Sequence, residues 1–279
     1  MKQDIDAALI ERIKKFVLDK TGILLNDQKV SMILQKLNKQ INEGVIKDLN
    51  HFYYNLTTNE KIFQEFINFL TVNETYFFRE FEQLKAFAEV ILPEVVEFKK
   101  KRGENRIKIW VAGCATGDEA YTISIILNEF LEDDIKFEIF ASDIDTEALK
   151  IAESGIYELR NVRFVHHHYL NVYFDITKDG KFKIKDEIKK NVKFIYHNLV
   201  DFSKYFIFSK SDFVFCRNVL IYFGDEQRRK VIDKMYEILN CGGYLFLGHS
   251  ESVGRLSDKF CVRRINDYFF YYKECDCGR

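Results

Sequence analysis

The sequence predicts an α/β protein: a doubly wound, mostly parallel sheet with a small β insertion, preceded by an all-α helical domain. Three observations predict it. The N-terminal part repeats apolar side chains at helical spacing. From Arg106 onward, strand-like apolar runs alternate with helical ones, the pattern of a parallel sheet. Between them lies the charged stretch "FKKKRGENR", whose Gly103 marks a connection. A chain of 279 residues has room for two domains. The expected boundaries are 1–72 for the helical domain, 73–100 for a linker segment and helix, and 101–279 for the α/β domain, with the β insertion at about 173–193.

Taken in order, Ile5, Leu9, Ile13, Phe16 and Val17 recur at helical spacing and stop at Gly22. Val30, Ile33, Leu34, Leu37 and Ile41 repeat the pattern as far as Gly44. Leu49, Phe52, Tyr53 and Leu56 suggest a third helix, and Ile62, Phe63, Phe66, Ile67 and Leu70 a fourth. "TVNETYFFRE" (71–80) follows, with three aromatics set between a polar cluster and a charge pair. Its aromatics are expected to fasten the linker to both domains. A helical pattern from Phe81 to Ile91 is interrupted by Pro93. Then come the strand "RIKIWVAG", the helix "AYTISIILNEFL", the strand "KFEIFASD" and the helix "DTEALKIAES". The insertion carries a hairpin signal, Lys178-Asp179-Gly180-Lys181, flanked by alternating residues. "VKFIYHN", "SDFVFCRN", the helix "DEQRRKVIDKMYEIL" and "GGYLFLGH" continue the alternation. "FCVRRI" and "DYFFYYK", with no helix between them, should pair as antiparallel edge strands.

Composition narrows the function. At 47% hydrophobic the chain can bury a substantial core, and a net charge of −1 argues against a general nucleic-acid binder. No apolar run approaches the ~18 residues of a membrane span, and "MKQDIDAALIERIKKF" is amphipathic, unlike a signal peptide. A soluble cytoplasmic protein is expected. Cys114, Cys216, Cys241 and Cys261 lie in apolar or strand-like surroundings that suit buried thiols. Cys275 and Cys277 form a C-x-C far in sequence from His166–His168, and no metal site is expected. Reduced cysteines fit a cytosolic protein.

Ligands of open α/β sheets bind beyond the carboxyl ends of the strands. The first such end, "VAGCATGDEAYT", has Gly113 and Gly117 for a tight turn and close backbone approach. Its G-x-x-x-G spacing is not a dinucleotide fingerprint. Asp118 and Glu119 would repel a pyrophosphate but suit a ligand with an amino group and hydroxyls, as in S-adenosylmethionine. Equally, acids favour a helix N-terminus for purely structural reasons. The second strand ends in "ASDIDTEA", where Asp145 fits an N-cap and leaves Asp143 for ribose hydroxyls. The next ends offer Asn198 and then Arg217 with Asn218. Polar groups at four successive strand ends are hard to explain by packing.

"NETYFFRE", "GCATGDEAYT", "ASDIDTEAL", "SGIY", "HNLV", "FCRNVLIYF" and "GHSES" occur in the order found in the chemotaxis receptor methyltransferases, the CheR family, which the chain resembles over nearly its whole length. The resemblance implies a class I methyltransferase-like fold. It implies transfer of a methyl group from S-adenosylmethionine to glutamate side chains on the cytoplasmic helices of chemoreceptors, yielding methyl esters and S-adenosylhomocysteine. By the same resemblance, Asn73, Thr75 and Arg79 close over the cofactor and Glu119 binds its methionyl end. Asp143 binds the ribose, Asn198 and Leu199 flank the adenine, and Gly113, Arg217 and Asn218 line the pocket. Tyr222 matches a family tyrosine near the transferred methyl and, with Arg79, is the catalytic candidate; a core tyrosine in "VLIYF" is the alternative.

The match is not uniform. The family's G-E-E-P-Y is here Gly117-Asp118-Glu119-Ala120-Tyr121, which loses a proline preorganised for the helix start. Lys29, Lys36 and Lys39 share one face of the second helix, a weaker version of the basic receptor-docking face, or simply a solvated surface. The shorter insertion points to an enzyme independent of the receptor's C-terminal pentapeptide. No direct membrane insertion is expected, and the chain is expected to act as a monomer. Two other functions stay open: a non-catalytic S-adenosylhomocysteine-binding sensor, and a methyltransferase for another protein or a small carboxylate.

Overall fold

The structure, a computed structural model, describes residues 7–275; Ile5 and Cys277 lie outside the described residues. Helices α1 (Ala7–Thr21), α2 (Asp27–Asn42), α3 (Leu49–Thr58) and α4 (Glu60–Leu70) form the N-terminal domain. Their apolar stripes meet in a core that includes Leu9, Ile13, Val17, Leu37, Phe52, Leu56 and Ile67. The helix starts are set by Asn26, Asp48 and Asn59, whose side chains accept N–H bonds from Lys29, His51 and both Lys61 and Ile62. Each such cap stabilises its helix by about 1 kcal/mol.

The linker reaches Glu80 with two residues in left-handed backbone, Phe78 (φ 58°) and Glu80 (φ 56°). Its aromatics do not bridge the two domains as expected. Phe77 is buried edge-on against Tyr157 and Phe174, Phe78 stacks on Tyr169, and Tyr76 meets Phe164. All three bind the linker to the α/β side. The helical run then continues past Pro93: α5 (Phe81–Ala86), a π turn over Phe87–Ile91, and α6 (Leu92–Lys100). Proline has no N–H to give and its ring crowds the carbonyl one turn earlier; the wide π turn accommodates both without breaking the helix.

The α/β domain comprises β1 (Arg106–Ala112), α7 (Asp118–Phe130), β2 (Lys136–Asp143), α8 (Thr146–Ser154), β3 (Ile156–Tyr157), α9 (Leu159–Val162), α10 (His167–Tyr173), β4 (Phe174–Ile176), β5 (Phe182–Ile184), α11 (Asp186–Lys189), β6 (Val192–Tyr196), β7 (Ser211–Cys216), α12 (Asp225–Ile238), β8 (Leu239–Leu247), β9 (Cys261–Ile265) and β10 (Tyr268–Tyr272). The main sheet has the order β6-β2-β1-β7-β8-β10-β9, parallel from β6 to β8, with β10 antiparallel to both of its neighbours. The chain leaves β1 toward β2 on one side and β7 lies on the other, so the switch point falls at the end of β1. The insertion is a separate sheet, β3-β5-β4. It takes in Ile156–Tyr157, while Val192 and Lys193 belong to β6 of the main sheet.

At the far end of β7, Asp212 is buried and accepts bonds from Lys99 Nζ (2.8 and 2.9 Å), Lys108 N (2.9 Å) and Asn240 Nδ2 (2.7 Å). The cysteines depart from expectation in two respects: Cys241 and Cys275 are joined in a disulfide, tying the segment after β10 to β8, and Cys261 is only half-buried. Cys114 and Cys216 are buried thiols.

Candidate active site

The helical domain closes over the carboxyl ends of the strands through several direct bonds. Gln64 Nε2 donates to Ile144 O (2.8 Å), Asn68 Nδ2 to Thr146 Oγ1 (2.9 Å), Asn198 Nδ2 to Lys20 O (2.7 Å) and Leu24 N to Tyr222 O (2.8 Å). Between the domains lies a cleft of about 970 Å³ open to solvent. It is lined from the helical domain by Lys29, from the linker by Asn73, Thr75 and Arg79, and from the strand ends by Gly113, Glu119, Asp143, Asn198, Leu199, Arg217, Asn218 and Tyr222.

The loop after β1 requires glycine at its start. Gly113 has φ 75°, and a Cβ there would stand 2.4 Å from Val219 Cγ2, so the loop after β7 presses directly on it. The turn delivers Ala115 N to Asp143 Oδ2 at 2.7 Å, and Asp145 N reaches Asp143 Oδ1 at 2.8 Å. Burial pushes the Asp143 carboxyl up to about 6. Each oxygen keeps a lone pair beyond its backbone bond, which suits it to hydroxyl donors. Asp145 caps α8 through Glu147 N and Ala148 N, and its other oxygen accepts Thr71 Oγ1 and Asn73 Nδ2. The Asn73 amide is thus engaged in holding the linker to α8, although the residue borders the cleft.

The two acids at the start of α7 separate. Asp118 turns inward, fully buried, and accepts the Thr116 hydroxyl and the Asn161 amide; burial raises its pKa. Glu119 faces the cleft. Burial raises its pKa, and the guanidinium of Arg217 opposes that shift as its ion-pair partner. Arg217 is itself buried, pairs with Glu80 at 3.2 Å and donates to Arg79 O at 2.6 Å. It therefore neutralises Glu119 and at the same time pins the linker. Its Nε, and both ring nitrogens of His197, which also lines the cleft, lack hydrogen-bond partners among the described residues.

Arg79 is half-buried; it donates to Glu74 O at 2.9 Å and lies 5.9 Å from the Tyr76 ring centroid. Tyr222 is half-buried on a short 3-10 turn, Leu220–Tyr222, and burial raises its pKa while Arg79 lowers it. Sequence reasoning set Lys29, Lys36 and Lys39 on one outward face. The structure breaks up that face. Lys29 turns into the cleft, donates to Leu70 O at 3.1 Å and sits 4.8 Å from the Tyr222 ring centroid; burial lowers its pKa. Lys36 lies 3.7 Å from the Phe69 ring centroid, and Lys39 pairs with Glu43 at 3.8 Å in solvent. Two further residues lie within the motifs "HNLV" and "GHSES" but were not singled out from the sequence. His197 is buried among Trp110, Tyr205 and Phe208, which pushes its pKa down to about 4. Glu251, in "GHSES", accepts four backbone N–H bonds behind the Tyr222 loop.

Comparison with known proteins agrees with this architecture. The family model for the CheR methyltransferase SAM-binding domain matches residues 73–269, and that for the CheR methyltransferase all-alpha domain matches residues 8–71. The chain belongs to the CheR methyltransferase family. It is 37% identical to chemotaxis protein methyltransferase 2 of Vibrio cholerae over 94% of this chain and 91% of that protein. It is 34% identical to chemotaxis protein methyltransferase 1 of Pseudomonas aeruginosa (87% and 90%) and 33% identical to the chemotaxis protein methyltransferase of Vibrio parahaemolyticus (92% and 94%).

This CheR protein is accordingly an S-adenosylmethionine-dependent methyltransferase of chemotaxis. The cleft fits that cofactor: a buried carboxylate, Asp143, stands one strand away from a second acid, Glu119, so acceptors for hydroxyl and amino donors sit on neighbouring strand ends. Among the described residues, no helix is long and apolar enough to cross a membrane, and no cluster of His, Cys, Asp or Glu could hold a metal.

Proposed function

We propose that this enzyme methylates the side-chain carboxylates of glutamates on the cytoplasmic helices of chemoreceptors, giving methyl esters. One observation carries the reading. Lys29, Arg79 and Tyr222 come from the helical domain, the linker and the loop after β7, and they converge on one cleft. Two cations and a phenol can take hold of an anionic substrate.

A glutamate carboxylate, with an ordinary pKa of about 4.3, is already ionised at neutral pH and needs no general base. Bound S-adenosylmethionine supplies an electrophilic methyl group on a sulfonium whose departure as a thioether moves no proton. The protein's task is then positioning and exclusion of water. Asp143 is assigned to the ribose hydroxyls, Glu119 to the amino end, and Asn198 with Leu199 to the adenine. Thr75 and Asn73 complete the linker side. Arg79 and Tyr222 orient the substrate carboxylate, with at least one of them on the non-attacking oxygen, because strong bonds to the attacking oxygen would blunt it. Lys29 adds a second cation. Lys36 and Lys39 remain candidates for contact with an acidic receptor helix farther out. Strands β4 and β5 are only three residues long, a short ladder for an added peptide strand, in keeping with independence from the receptor's C-terminal pentapeptide.

Incubation with methyl-labelled S-adenosylmethionine and receptor-containing membranes tests this. Base-labile label on the receptor is expected. Cofactor binding without label would favour a sensor that binds S-adenosylhomocysteine.

A further inference from the structure

We propose that Glu251 is a positioning residue that fixes the loop carrying Asn218 and Tyr222 by cradling its carboxylate in the backbone N–H groups of that loop. Oε2 accepts Asn218 N at 2.7 Å and Gly248 N at 2.8 Å; Oε1 accepts Val219 N at 3.0 Å and Ile221 N at 3.2 Å. Three of these donors fall within four consecutive residues that end one position before Tyr222.

Such a bend leaves its N–H groups without the partners a helix or strand would supply, and a carboxylate, here half-buried, is the side chain that can take several at once. Asn218 sits at φ 60°, a left-handed conformation that costs a non-glycine residue energy and persists only where its surroundings hold it. The fit is tight. A Cβ on Gly248 would lie 2.7 Å from Asn218 Nδ2 and 2.9 Å from both Asn218 N and Glu251 Oε2. The loop's carbonyls are held from another direction, since Arg228 Nε donates to Leu220 O at 3.1 Å and Arg228 Nη2 to Phe223 O at 3.0 Å. On its cleft side Val219 presses on Gly113. Glu251 does not line the cleft; apart from its charge, which with burial and Glu74 raises the Tyr222 pKa, its effect on catalysis passes through the loop.

The inference rests on the assignment of Tyr222 to methyl transfer, and the test separates the two. Glu251→Gln keeps the volume but replaces one acceptor with a donor that opposes the N–H groups; Glu251→Asp keeps the charge. In Glu251→Gln, hydrogen exchange in a peptide spanning 217–223 should accelerate about tenfold or more. Turnover should fall about 100-fold, the scale of an ångström-sized misplacement, while S-adenosylhomocysteine affinity falls much less. Glu251→Asp should recover part of the loss. In a Tyr222→Phe background, Glu251→Gln should lower turnover by no more than about threefold further, as expected for residues that act as a unit. Unchanged exchange, or the full loss added on top of Tyr222→Phe, would overturn the proposal. If Tyr222→Phe alone leaves turnover intact, the assignment of Tyr222 fails, and the exchange measurement still decides whether Glu251 holds the loop.

Discussion

The ammonium of Lys29 lies 4.8 Å from the centroid of the Tyr222 ring, so the helical domain places a cation inside the cleft rather than only beside it. Lys29→Met removes the charge and keeps most of the apolar stem. Loss of one charged contact to substrate should lower turnover on a receptor fragment by about tenfold or more. S-adenosylhomocysteine affinity should be nearly unchanged. Steady-state kinetics with a titrated receptor fragment, alongside calorimetry for the cofactor, checks both.

Among the described residues Arg79 makes one side-chain hydrogen bond, to Glu74 O, which leaves most of its donors available to a ligand. Arg79→Ala should therefore cost turnover far more than stability. A loss of about 100-fold in kcat matches the removal of one donor aimed at developing charge. A large drop in Tm with normal activity would show that the side chain is structural.

With Asp143 on the ribose hydroxyls as proposed, cofactor binding should be sensitive to pH. Its carboxyl is pushed up to about 6 by burial, whereas an exposed one titrates near about 3.9. Between those values the folded protein retains a proton that the unfolded chain has released, so this group's contribution to stability falls as pH rises through the window and is level above it. Cofactor binding runs the other way, because the ionised form is the better acceptor for hydroxyls. S-adenosylhomocysteine affinity should rise with pH through about 6 and then level off, and Asp143→Asn should flatten that profile. Calorimetric titrations across the range measure it.

The Lys99–Asp212 pair tests stability apart from function. Both residues are buried, at the end of β7 remote from the cleft. Lys99→Met leaves Asp212 without its buried cation and should cost about 3 kcal/mol in chemical denaturation. Turnover per folded molecule should be unchanged.

Much of this architecture was legible in the sequence because its periodicities are strong. The switch from helical spacing to alternating strands and helices locates the sheet, and polar residues at its strand ends point to Asp143, Asn198 and Arg217. The same local logic failed wherever a side chain's direction depends on a distant segment. Helical spacing puts Lys29 on a face with Lys36 and Lys39, but the turn before α2 pairs Ile23 with Phe223 and carries the start of the helix over the Tyr222 loop. Asn73 belongs to a motif expected from the sequence to face the cofactor, yet its amide is taken by Asp145, a residue 72 positions away. Phe77 and Phe78 find their partners in the insertion and on α10, which no repeat in the linker foretells. Glu251 shows no spacing signal, because its partners are backbone groups of a loop it meets only in the fold.

The proposed function has the cleft deliver a methyl group to a glutamate carboxylate. Its most direct test is mass-spectrometric mapping of a chemoreceptor cytoplasmic fragment after incubation with this enzyme and S-adenosylmethionine. Single-methyl mass additions should be confined to glutamate side chains, removed by mild base and lost with Arg79→Ala or Tyr222→Phe. Methylation on another residue type, or stoichiometric cofactor binding with an unmodified receptor, would contradict it.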